Sequence, residues 1–268
     1  MRSGVGTVTV AYQGHPGAFS DVAARLLVEG AQTRGYSSFD EVAAAVANGE
    51  AEFGALPVEN AIAGPIPRNY ELLWEHGELR VRGETVLPVE LCLIGPPGAS
   101  VATVTQIRSH PVALEQVRRY ADAHGWTRAT TTDTAGAVKE AVALGDPSVA
   151  AVGPALAAEL YGGAILARGV QDEPENYTRF FLVARGDAPT SGDRACVGIE
   201  VADRPGSLRD ALGAFADRGI DLRLVIARPD RRVPFHYRFF CELARVDDDR
   251  LTDALTAIGG EQRLIGRY

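Results

Sequence analysis

A hydroxyl and a guanidinium group stand side by side in the segment N-Y-T-R-F, residues 176–180, directly before the apolar run 181–183. The apolar run predicts a buried strand, so Thr178 and Arg179 would lie at the start of that strand. Thr178 can donate a hydrogen bond, and Arg179 can hold a carboxylate through two parallel hydrogen bonds. This pair suits a small anionic substrate. For Arg179 the alternative is a structural salt bridge.

A glycine-rich turn follows the first predicted strand. Residues 14–17 read G-H-P-G and lie between a predicted strand at 7–12 and a predicted helix at 20–29. A strand, a glycine-rich turn and a helix start form an anion pocket, because the backbone N–H groups point at the ligand. The sequence therefore predicts that a negatively charged group binds at this turn.

Two polar residues end the predicted strand 53–58. Asn60 can present both a donor and an acceptor, and ligands of open α/β sheets bind beyond the carboxyl ends of the strands. A turn residue is the alternative for Asn60. Its neighbour Glu59 is a candidate acid or base, but a structural role is favoured because a carboxylate that faces an anionic substrate is unfavourable.

A third polar group precedes the predicted helix 112–124. Ser109 is suited to cap this helix and also to contact an anion at its start. Gln116 lies seven residues further on, on the same helical face, so the two side chains would line one wall. His110 is a second acid–base candidate, for which a role beside the helix cap is favoured.

Composition excludes several classes of function. The 268 residues carry a net charge of −8 and a pI near 5.2, which argues against nucleic acid as a partner. The cysteines Cys92, Cys196 and Cys241 lie in apolar runs and predict core positions, and the histidines lack metal-ligand spacing. We expect no metal and no cofactor. No leader and no long apolar run is present, so we expect a cytoplasmic protein without a membrane partner.

Strands and helices alternate over residues 7–183, which predicts an α/β domain with a largely parallel sheet, or two such lobes. A polar stretch of small residues at 187–193 predicts a linker, and the order βαββα with a possible last strand predicts a ferredoxin-like module. The other predicted strands are 86–94, 104–108, 149–152, 195–201, 222–227, 237–243 and 263–266; the other predicted helices are 40–48, 134–144, 154–160, 208–218 and 249–258.

Four of these segments, in this order, resemble the motifs of the prephenate dehydratase family. Residues 14–20 resemble G-x-x-G-T-F-S, residues 57–64 resemble P-V-E-N-S-x-x-G, residues 109–116 resemble S-H-P-Q-A-L-x-Q, and residues 176–180 resemble N-x-T-R-F. In the tail, R-P-G-S-L at 204–208 and the segments 220–222 and 228–229 resemble the ACT regulatory module.

The resemblance implies a two-lobed, periplasmic-binding-protein-like catalytic domain over 1–186 and a ferredoxin-like βαββαβ ACT domain over 194–268. The first lobe would hold about 7–84 plus 178–185, and the second lobe about 85–174. ACT modules commonly pair edge to edge, so the resemblance also implies a homodimer or a homotetramer.

The implied activity is the loss of CO2 and water from prephenate, a dianion, to give phenylpyruvate in L-phenylalanine biosynthesis. Thr178 matches the catalytic threonine of the family. The implied substrate contacts are Asn60, Ser109, Gln116, Arg179, Phe180, Ala18, Phe19, Ser20 and Ala61. The implied contacts of a phenylalanine effector are Gly206, Ser207, Leu208, Ile226, Ala227 and Arg228.

The chain departs from the family motifs at several positions. Ala18 replaces a threonine, Ala61 a serine and Val112 a glutamine, which keeps arogenate or a modified prephenate open as the substrate. Ile226 and Ala227 replace two polar residues of the motif E-S-R-P, so we expect weakened phenylalanine inhibition. A non-aromatising prephenate decarboxylase and a non-catalytic amino-acid sensor are further alternatives, and the retained Thr178 disfavours the decarboxylase.

Overall fold

The computed structural model describes residues 8–187, 192–230 and 232–268, so most of the predicted linker 187–193 lies outside the described residues. The first part of the chain alternates strands and helices. Its elements are β1 (Thr9–Gln13), α1 (Phe19–Leu27), β2 (Gln32–Tyr36), α2 (Phe39–Asn48), β3 (Phe53–Asn60), the short β4 (Gly64–Pro65), α3 (Pro67–Glu75) and β5 (Leu79–Pro88).

The middle of the chain forms a second α/β unit, after which one strand returns to the first unit. The elements of the second unit are β6 (Cys92–Gly95), β7 (Gln106–Ser109), α4 (Pro111–Gln116), α5 (Arg118–His124), β8 (Thr127–Thr130), α6 (Thr134–Leu144), β9 (Val149–Gly153), α7 (Ala155–Tyr161) and β10 (Ala164–Ala167). The returning strand is β11 (Tyr177–Arg185).

The C-terminal domain has the predicted order βαββαβ. It consists of β12 (Arg194–Glu200), α8 (Ser207–Ala216), β13 (Asp221–Pro229), β14 (Tyr237–Ala244), α9 (Asp248–Ile258) and β15 (Gln262–Arg267). Its strands pair in the order β13-β14-β12-β15, each antiparallel to its neighbour. The predicted ferredoxin-like module is therefore confirmed.

Two sheets organise the described residues. The larger sheet runs β2-β1-β3-β11-β5-β15-β12-β14-β13 and thus continues from the first lobe into the C-terminal domain, while the smaller sheet runs β8-β7-β9-β6-β10 in the second lobe. The prediction of a largely parallel sheet was wrong in part, because β11 is antiparallel to both β3 and β5, and β6 to both β9 and β10. The predicted division into two lobes is confirmed.

Two segments cross from one lobe to the other, residues 89–91 and residues 168–176, and are here called the first and second crossing segments. In the first, Val89 N donates to the carbonyl oxygen of Asn176 at 2.8 Å; in the second, Val170 N donates to that of Leu91 at 2.9 Å. The predicted strand 86–94 therefore belongs to two strands, β5 and β6, and residues 89–91 between them cross from one lobe to the other. The lobe boundary lies at 89–91 rather than at 84/85, since β5 stays paired with β11 up to Pro88.

The predicted helix 112–124 is also divided in two. Asp172, in the second crossing segment, donates from its backbone N to Gln116 O at 2.6 Å, and its carboxylate accepts from Arg119 N at 3.0 Å. These contacts cap the end of α4 and the start of α5, so the helix is interrupted at Val117. The strands β2, β8 and β10 and the helix α3 were not predicted.

The first lobe and the C-terminal domain share one hydrophobic core. Trp74 of α3 and Phe181 of β11 belong to the same buried cluster as Ile226, Phe240 and Ile265 of the C-terminal domain. The rings of Trp74 and Phe240 meet edge to face at 6.3 Å between centroids. The two domains are therefore packed as one body.

Candidate active site

The lobes touch along one side of the cleft between them. The Tyr161 hydroxyl of α7 donates to the carbonyl oxygen of Pro16 at 2.9 Å, and His15 Nδ1 lies 2.5 Å from the Asp133 carboxylate. Gly17 approaches α7 so closely that an added Cβ would stand 2.8 Å from Ala157 Cα. The glycine-rich turn thus holds the first lobe against the second.

A cavity of about 540 Å³, here called the polar cavity, lies beside this turn. The first residues of α1, α2 and α6 line it, together with the hydroxyl-bearing residues Ser20, Ser38 and Thr132. The N-terminus of α1 has no side-chain cap. Asp40 and Asp133 also line this cavity, and Ser38 and Asp133 already cap α2 and α6. Because helix N-termini carry partial positive charge and unpaired N–H groups, the uncapped start of α1 is the part of the lining that favours a bound carboxylate.

A second cavity of about 510 Å³, here called the hinge cavity, lies beside the crossing segments. Ile62, Ala63 and Val112 contribute apolar surface to it, and Gln116 and Asn176 contribute amide groups. His110, just before α4, lines the polar cavity, and Val112 lines the hinge cavity. The start of α4 therefore borders both cavities.

Asn60 fixes the orientation of Thr178. The Asn60 Oδ1 accepts from the backbone N atoms of Ile62 at 3.1 Å and Ala63 at 2.9 Å, so its Nδ2 must face the other way. The two hydrogens of that Nδ2 face three acceptors, Asn176 Oδ1 at 2.7 Å, Thr178 Oγ1 at 3.0 Å and the Tyr177 carbonyl oxygen at 3.1 Å. Because Thr178 Oγ1 is one of these acceptors, its own hydrogen remains available to a ligand.

The structure therefore brings together Thr178 and Asn60, and Asn60 also donates to Asn176, which lines the hinge cavity. Thr178 and Asn60 themselves are not among the residues that line the two cavities. The predicted contact Gln116 lines the same cavity. Ala18, Phe19 and Ser20 line the polar cavity. Ala61 contributes its backbone N–H, which donates to the Tyr177 carbonyl oxygen at 2.8 Å and ties the end of β3 to the start of β11.

Other predicted contacts have structural surroundings. Ser109 is fully buried, and its hydroxyl donates to the Val152 carbonyl oxygen at 2.6 Å inside the second lobe. Phe180 is buried beside Ala23 and Leu87 rather than placed on a cavity wall. His110 is itself the N-cap of α4, because its Nδ1 accepts from Val112 N at 3.3 Å. The capping role predicted for Ser109 was therefore wrong.

Arg179 forms a salt bridge, which is the alternative that the sequence left open. It does not line the polar cavity or the hinge cavity. Its guanidinium lies 3.0 Å from the carboxylates of Glu59 and Glu84 and 2.6 Å from that of Glu242 in the C-terminal domain. Burial alone would lower the pKa of Arg179, but the hydrogen bond and charge of Glu242 outweigh it, so this pKa is raised. We correct the substrate-binding prediction for Arg179 accordingly.

The predicted effector residues separate into two groups. Ser207, beside Gly206 (φ +87°) and Leu208, lines a cavity of about 470 Å³ between the start of α8 and the end of α9. On β13, Ile226 is buried in the core shared with the first lobe, Ala227 is exposed, and Arg228 forms an ion pair with Glu71 of α3. Within one chain, the cavity that Ser207 lines is therefore not lined by Ile226, Ala227 or Arg228.

Sequence reasoning missed the residues that join the domains. The Tyr70 hydroxyl donates to the Glu242 carboxylate, and burial together with the charge of Glu242 raises the pKa of Tyr70. Nothing in the spacing of α3 and β14 predicts this contact, because the two residues are 172 positions apart. The pair His15 and Asp133 was missed for the same reason, although Asp133 carries the signal of a helix cap.

Among the described residues no group of three or more His, Cys, Asp or Glu could hold a metal ion, and no helix is long and apolar enough to cross a membrane. The fold and the site define a two-lobed α/β domain with a ligand cleft, joined to a ferredoxin-like module. The family model described as prephenate dehydratase matches residues 10–188, and the ACT domain model matches residues 197–259. The chain thus belongs to the prephenate dehydratase family, with a C-terminal ACT domain, and is a dehydratase by family.

Relatives with assigned activities are similar over most of the chain. A bifunctional N-acyl-homoserine lactone acylase/prephenate dehydratase of Komagataeibacter europaeus is 40% identical over 217 residues, which cover 80% of this chain and 77% of that protein. Arogenate dehydratase 1 of Petunia hybrida is 37% identical over 271 residues, which cover 94% of this chain and 64% of the plant protein. The crystal structure of prephenate dehydratase from Arthrobacter aurescens in complex with L-Phe superimposes with a TM-score of 0.88 at 27% identity, covering 97% of this chain and 90% of that one.

Proposed function

We propose that this chain converts prephenate to phenylpyruvate, with loss of CO2 and water. The observation that carries the proposal is the hydroxyl of Thr178, which accepts from Asn60 Nδ2 at 3.0 Å and so keeps its own hydrogen for a ligand. Asn60 in turn is fixed by two backbone N–H groups. The donor is therefore oriented before the substrate binds.

The reaction breaks two bonds and forms an aromatic ring. The C–C bond to the ring carboxylate breaks and CO2 leaves, and the released electron pair enters the ring. The C–O bond to the ring hydroxyl breaks on the opposite carbon, and the hydroxyl leaves as hydroxide, which takes one proton from the solvent and becomes water. Thr178 donates a hydrogen bond to this oxygen as negative charge develops on it, which contributes on the order of 10²–10³ in rate for comparable side-chain donors.

Each cavity has one feature that suits a dianionic substrate. At the polar cavity the uncapped N-terminus of α1 favours a carboxylate through its partial positive charge, whereas Asp40 and Asp133 of the same lining oppose it. Ile62 and Val112, which are 50% and 52% exposed, give the hinge cavity an apolar surface that would cover part of a bound substrate. A carboxylate that loses its hydration leaves more readily as CO2.

Arogenate differs from prephenate in carrying an ammonium group in place of the side-chain keto group. Three carboxylates line the hinge cavity, and each is already paired: Glu115 lies 3.3 Å from the guanidinium of Arg118, and Asp172 and Glu173 lie 3.7 and 2.8 Å from that of Arg119. A carboxylate that is already paired is a weaker partner for an ammonium group. This favours prephenate as the preferred substrate.

The test is turnover of prephenate and of arogenate by the purified chain, followed by product mass and by the absorbance of phenylpyruvate. We expect phenylpyruvate from prephenate, a lower kcat/KM for arogenate, and a loss of about 10²-fold or more in kcat for Thr178→Ala. Thr178→Ser keeps the hydroxyl and is the matched control, with kcat within about tenfold of the wild type. Equal turnover by Thr178→Ala would contradict the role of Thr178, and a non-aromatic product would indicate a decarboxylase.

We also propose that the C-terminal domain binds L-phenylalanine, the ligand of the Arthrobacter aurescens complex. The turn at Gly206 and Ser207 and its cavity support this ligand. Because Ile226 is buried in the shared core and Arg228 pairs with Glu71, we expect weak binding. Calorimetric titration with L-phenylalanine measures it, with D-phenylalanine as control; tight binding of the L-isomer would contradict the expected weakness.

A further inference from the structure

A buried ion pair crosses from the catalytic domain to the C-terminal domain. Arg179 Nη1 lies 2.6 Å from Glu242 Oε2, and Arg179 Nη2 donates to Glu242 Oε1 at 2.7 Å. This is a two-pronged geometry, which fixes direction as well as distance. Arg179 is 8% exposed and Glu242 is 2% exposed, so water screens the pair weakly.

The neighbours of this pair hold it in place. Glu59 and Glu84 accept from the same guanidinium at 3.0 Å, and Arg194 pairs with Glu84. The Tyr70 hydroxyl donates to Glu242. The Arg179 guanidinium also lies over the ring of Phe181, 5.4 Å from its centroid. Three carboxylates and two guanidinium groups therefore meet where the domains join.

The strands are irregular where they supply these residues. The pairing of β11 with β3 shifts register between Arg179 and Phe180. In the C-terminal domain, the pairing of β13 with β14 shifts between Leu222 and Leu224, and Leu224 is the partner of Glu242. Register shifts re-aim side chains and occur often beside active sites.

Arg179 is the direct neighbour of Thr178 on β11, and the two residues pair with Glu59 and Asn60 of β3. A shift of Arg179 by a fraction of an ångström therefore moves Thr178 relative to Asn60. We propose that Glu242 of the C-terminal domain is a positioning residue for Thr178, which it holds in place through Arg179. This inference rests on the proposed catalytic role of Thr178.

Glu242→Gln is the primary test, because glutamine keeps the shape and an acceptor but removes the charge. We expect kcat on prephenate to fall about tenfold or more with KM within about twofold, since a misplaced group costs transition-state stabilisation rather than binding. Glu242→Asp restores a carboxylate and is expected to recover most of kcat. Asp221→Asn, which removes a surface carboxylate of the same domain 3.4 Å from Arg223, is the control that keeps wild-type kcat.

A double-mutant cycle tests the route through Arg179. Arg179→Gln breaks the contact with Glu242 and also those with Glu59 and Glu84, so we expect it to lose at least as large a factor of kcat as Glu242→Gln. We expect the double variant to lose no more than Arg179→Gln alone, because the contact with Glu242 is already broken there. Losses that multiply in the double variant, or a fall in kcat for Glu242→Gln that is matched by Asp221→Asn, would overturn the proposal.

Hydrogen exchange supplies a readout that does not need catalysis. We expect the amides of 177–180 to exchange faster in Glu242→Gln than in the wild type, and those of β7 to stay unchanged. Unchanged exchange at 177–180 would refute the positioning role even if the chain has no dehydratase activity. Absence of phenylpyruvate from the wild type would refute only the proposed function.

Discussion

The chemistry of the site depends on which way one amide points. Asn60 offers its oxygen to two backbone N–H groups and its nitrogen to Thr178 and Asn176. The hydroxyl of Thr178 is therefore an acceptor on one side and a donor on the other. A threonine without this partner would be free to rotate, and its hydrogen would have no preferred direction.

Replacement of Asn60 by aspartate should reverse this direction. A carboxylate accepts the two backbone hydrogen bonds as before but cannot donate to Thr178, so the threonine hydroxyl donates to the new carboxylate instead of to the substrate. We expect Asn60→Asp to lower kcat by about 10²-fold, the order expected for loss of a side-chain donor. Steady-state kinetics on prephenate measure it, and Asn60→Ser, which has a hydroxyl donor, should lose less.

The glycine-rich turn between β1 and α1 sets the distance between the lobes. Gly17 has φ +89°, and an added Cβ would stand 2.8 Å from the Cα and 3.0 Å from the N of Ala157 in the other lobe. Backbone atoms cannot move aside as a flexible side chain can. The second glycine of the motif G-x-x-G-T-F-S therefore has a steric role here, because it lets the lobes approach. This role adds to the anion binding that the sequence predicts for the turn.

Gly17→Ala should strain the backbone and also push the lobes apart. We expect a larger loss of unfolding free energy than the ~1–2 kcal/mol typical of left-handed backbone strain alone, together with a lower kcat/KM. Gly30→Ala is the matched control, because Gly30 has φ +74° but open space around it. Urea unfolding and turnover of both variants measure the difference. Equal losses would show that the contact with α7 contributes nothing.

The segment after β13 should respond to acid. The hydrogen bond from Arg232 lowers the pKa of Asp230 from 3.8 to about 2. A lowered pKa in the folded state means that the ionised carboxylate stabilises the fold above about pH 4, and that this contribution is lost as the pH falls towards 2. We expect urea midpoints measured at pH 4, 3 and 2 to fall less steeply for Asp230→Asn than for the wild type. Parallel curves would contradict this expectation.

Strong periodic patterns predicted most elements, and tertiary contacts decided the rest. The helix α6 (Thr134–Leu144) has the predicted bounds, since a capping Asp133 and the terminal Gly145 mark its two ends. The division of 86–94 into β5 and β6 was not predictable, because hydrogen bonds to residues some 80 positions away impose it. Local periodicity carries no information about such partners.

The same limit applies to the site. Thr178 and Asn60 were both predicted, and the structure joins them by a hydrogen bond. Arg179 was assigned to the substrate because a guanidinium can hold a carboxylate and because the residue matches a cleft residue of the family, with a salt bridge as the alternative. Side chains of adjacent strand residues point to opposite faces, so Arg179 points away from the side of Thr178. The carboxylates that bind Arg179 come from three different strands, β3, β5 and β14. No local pattern indicates that they meet.

The whole molecule depends on close packing between the first lobe and the C-terminal domain. Gly198 of β12 lies against Trp74, and an added Cβ would stand 2.5 Å from Cε3 of the indole ring. The ring has little room to move, because the guanidinium groups of Arg238 and Arg263 lie 4.1 and 4.6 Å from its centroid. The contact between the domains is therefore intolerant of a single methyl group.

Gly198→Ala should loosen this contact. We expect a loss of about 1–3 kcal/mol in unfolding free energy from overpacking, with a red shift of tryptophan fluorescence as Trp74 becomes wetter. Gly213→Ala, on α8 with open space around it, is the control and should be neutral or stabilising, since alanine favours a helix over glycine. A wild-type melting temperature and spectrum for Gly198→Ala would contradict the expectation.

The larger sheet passes from one domain to the other through β15, which lies between β5 and β12. Gly266 of β15 is the residue that pairs with Val81 of β5. Among the described strands β15 is made last and β5 is made early, so during synthesis the edge of β5 stays unpaired while the intervening residues are translated. Exposed edges of this kind invite association with other chains. The edge of β5 around Val81 therefore stays open to pairing with other chains until β15 is made.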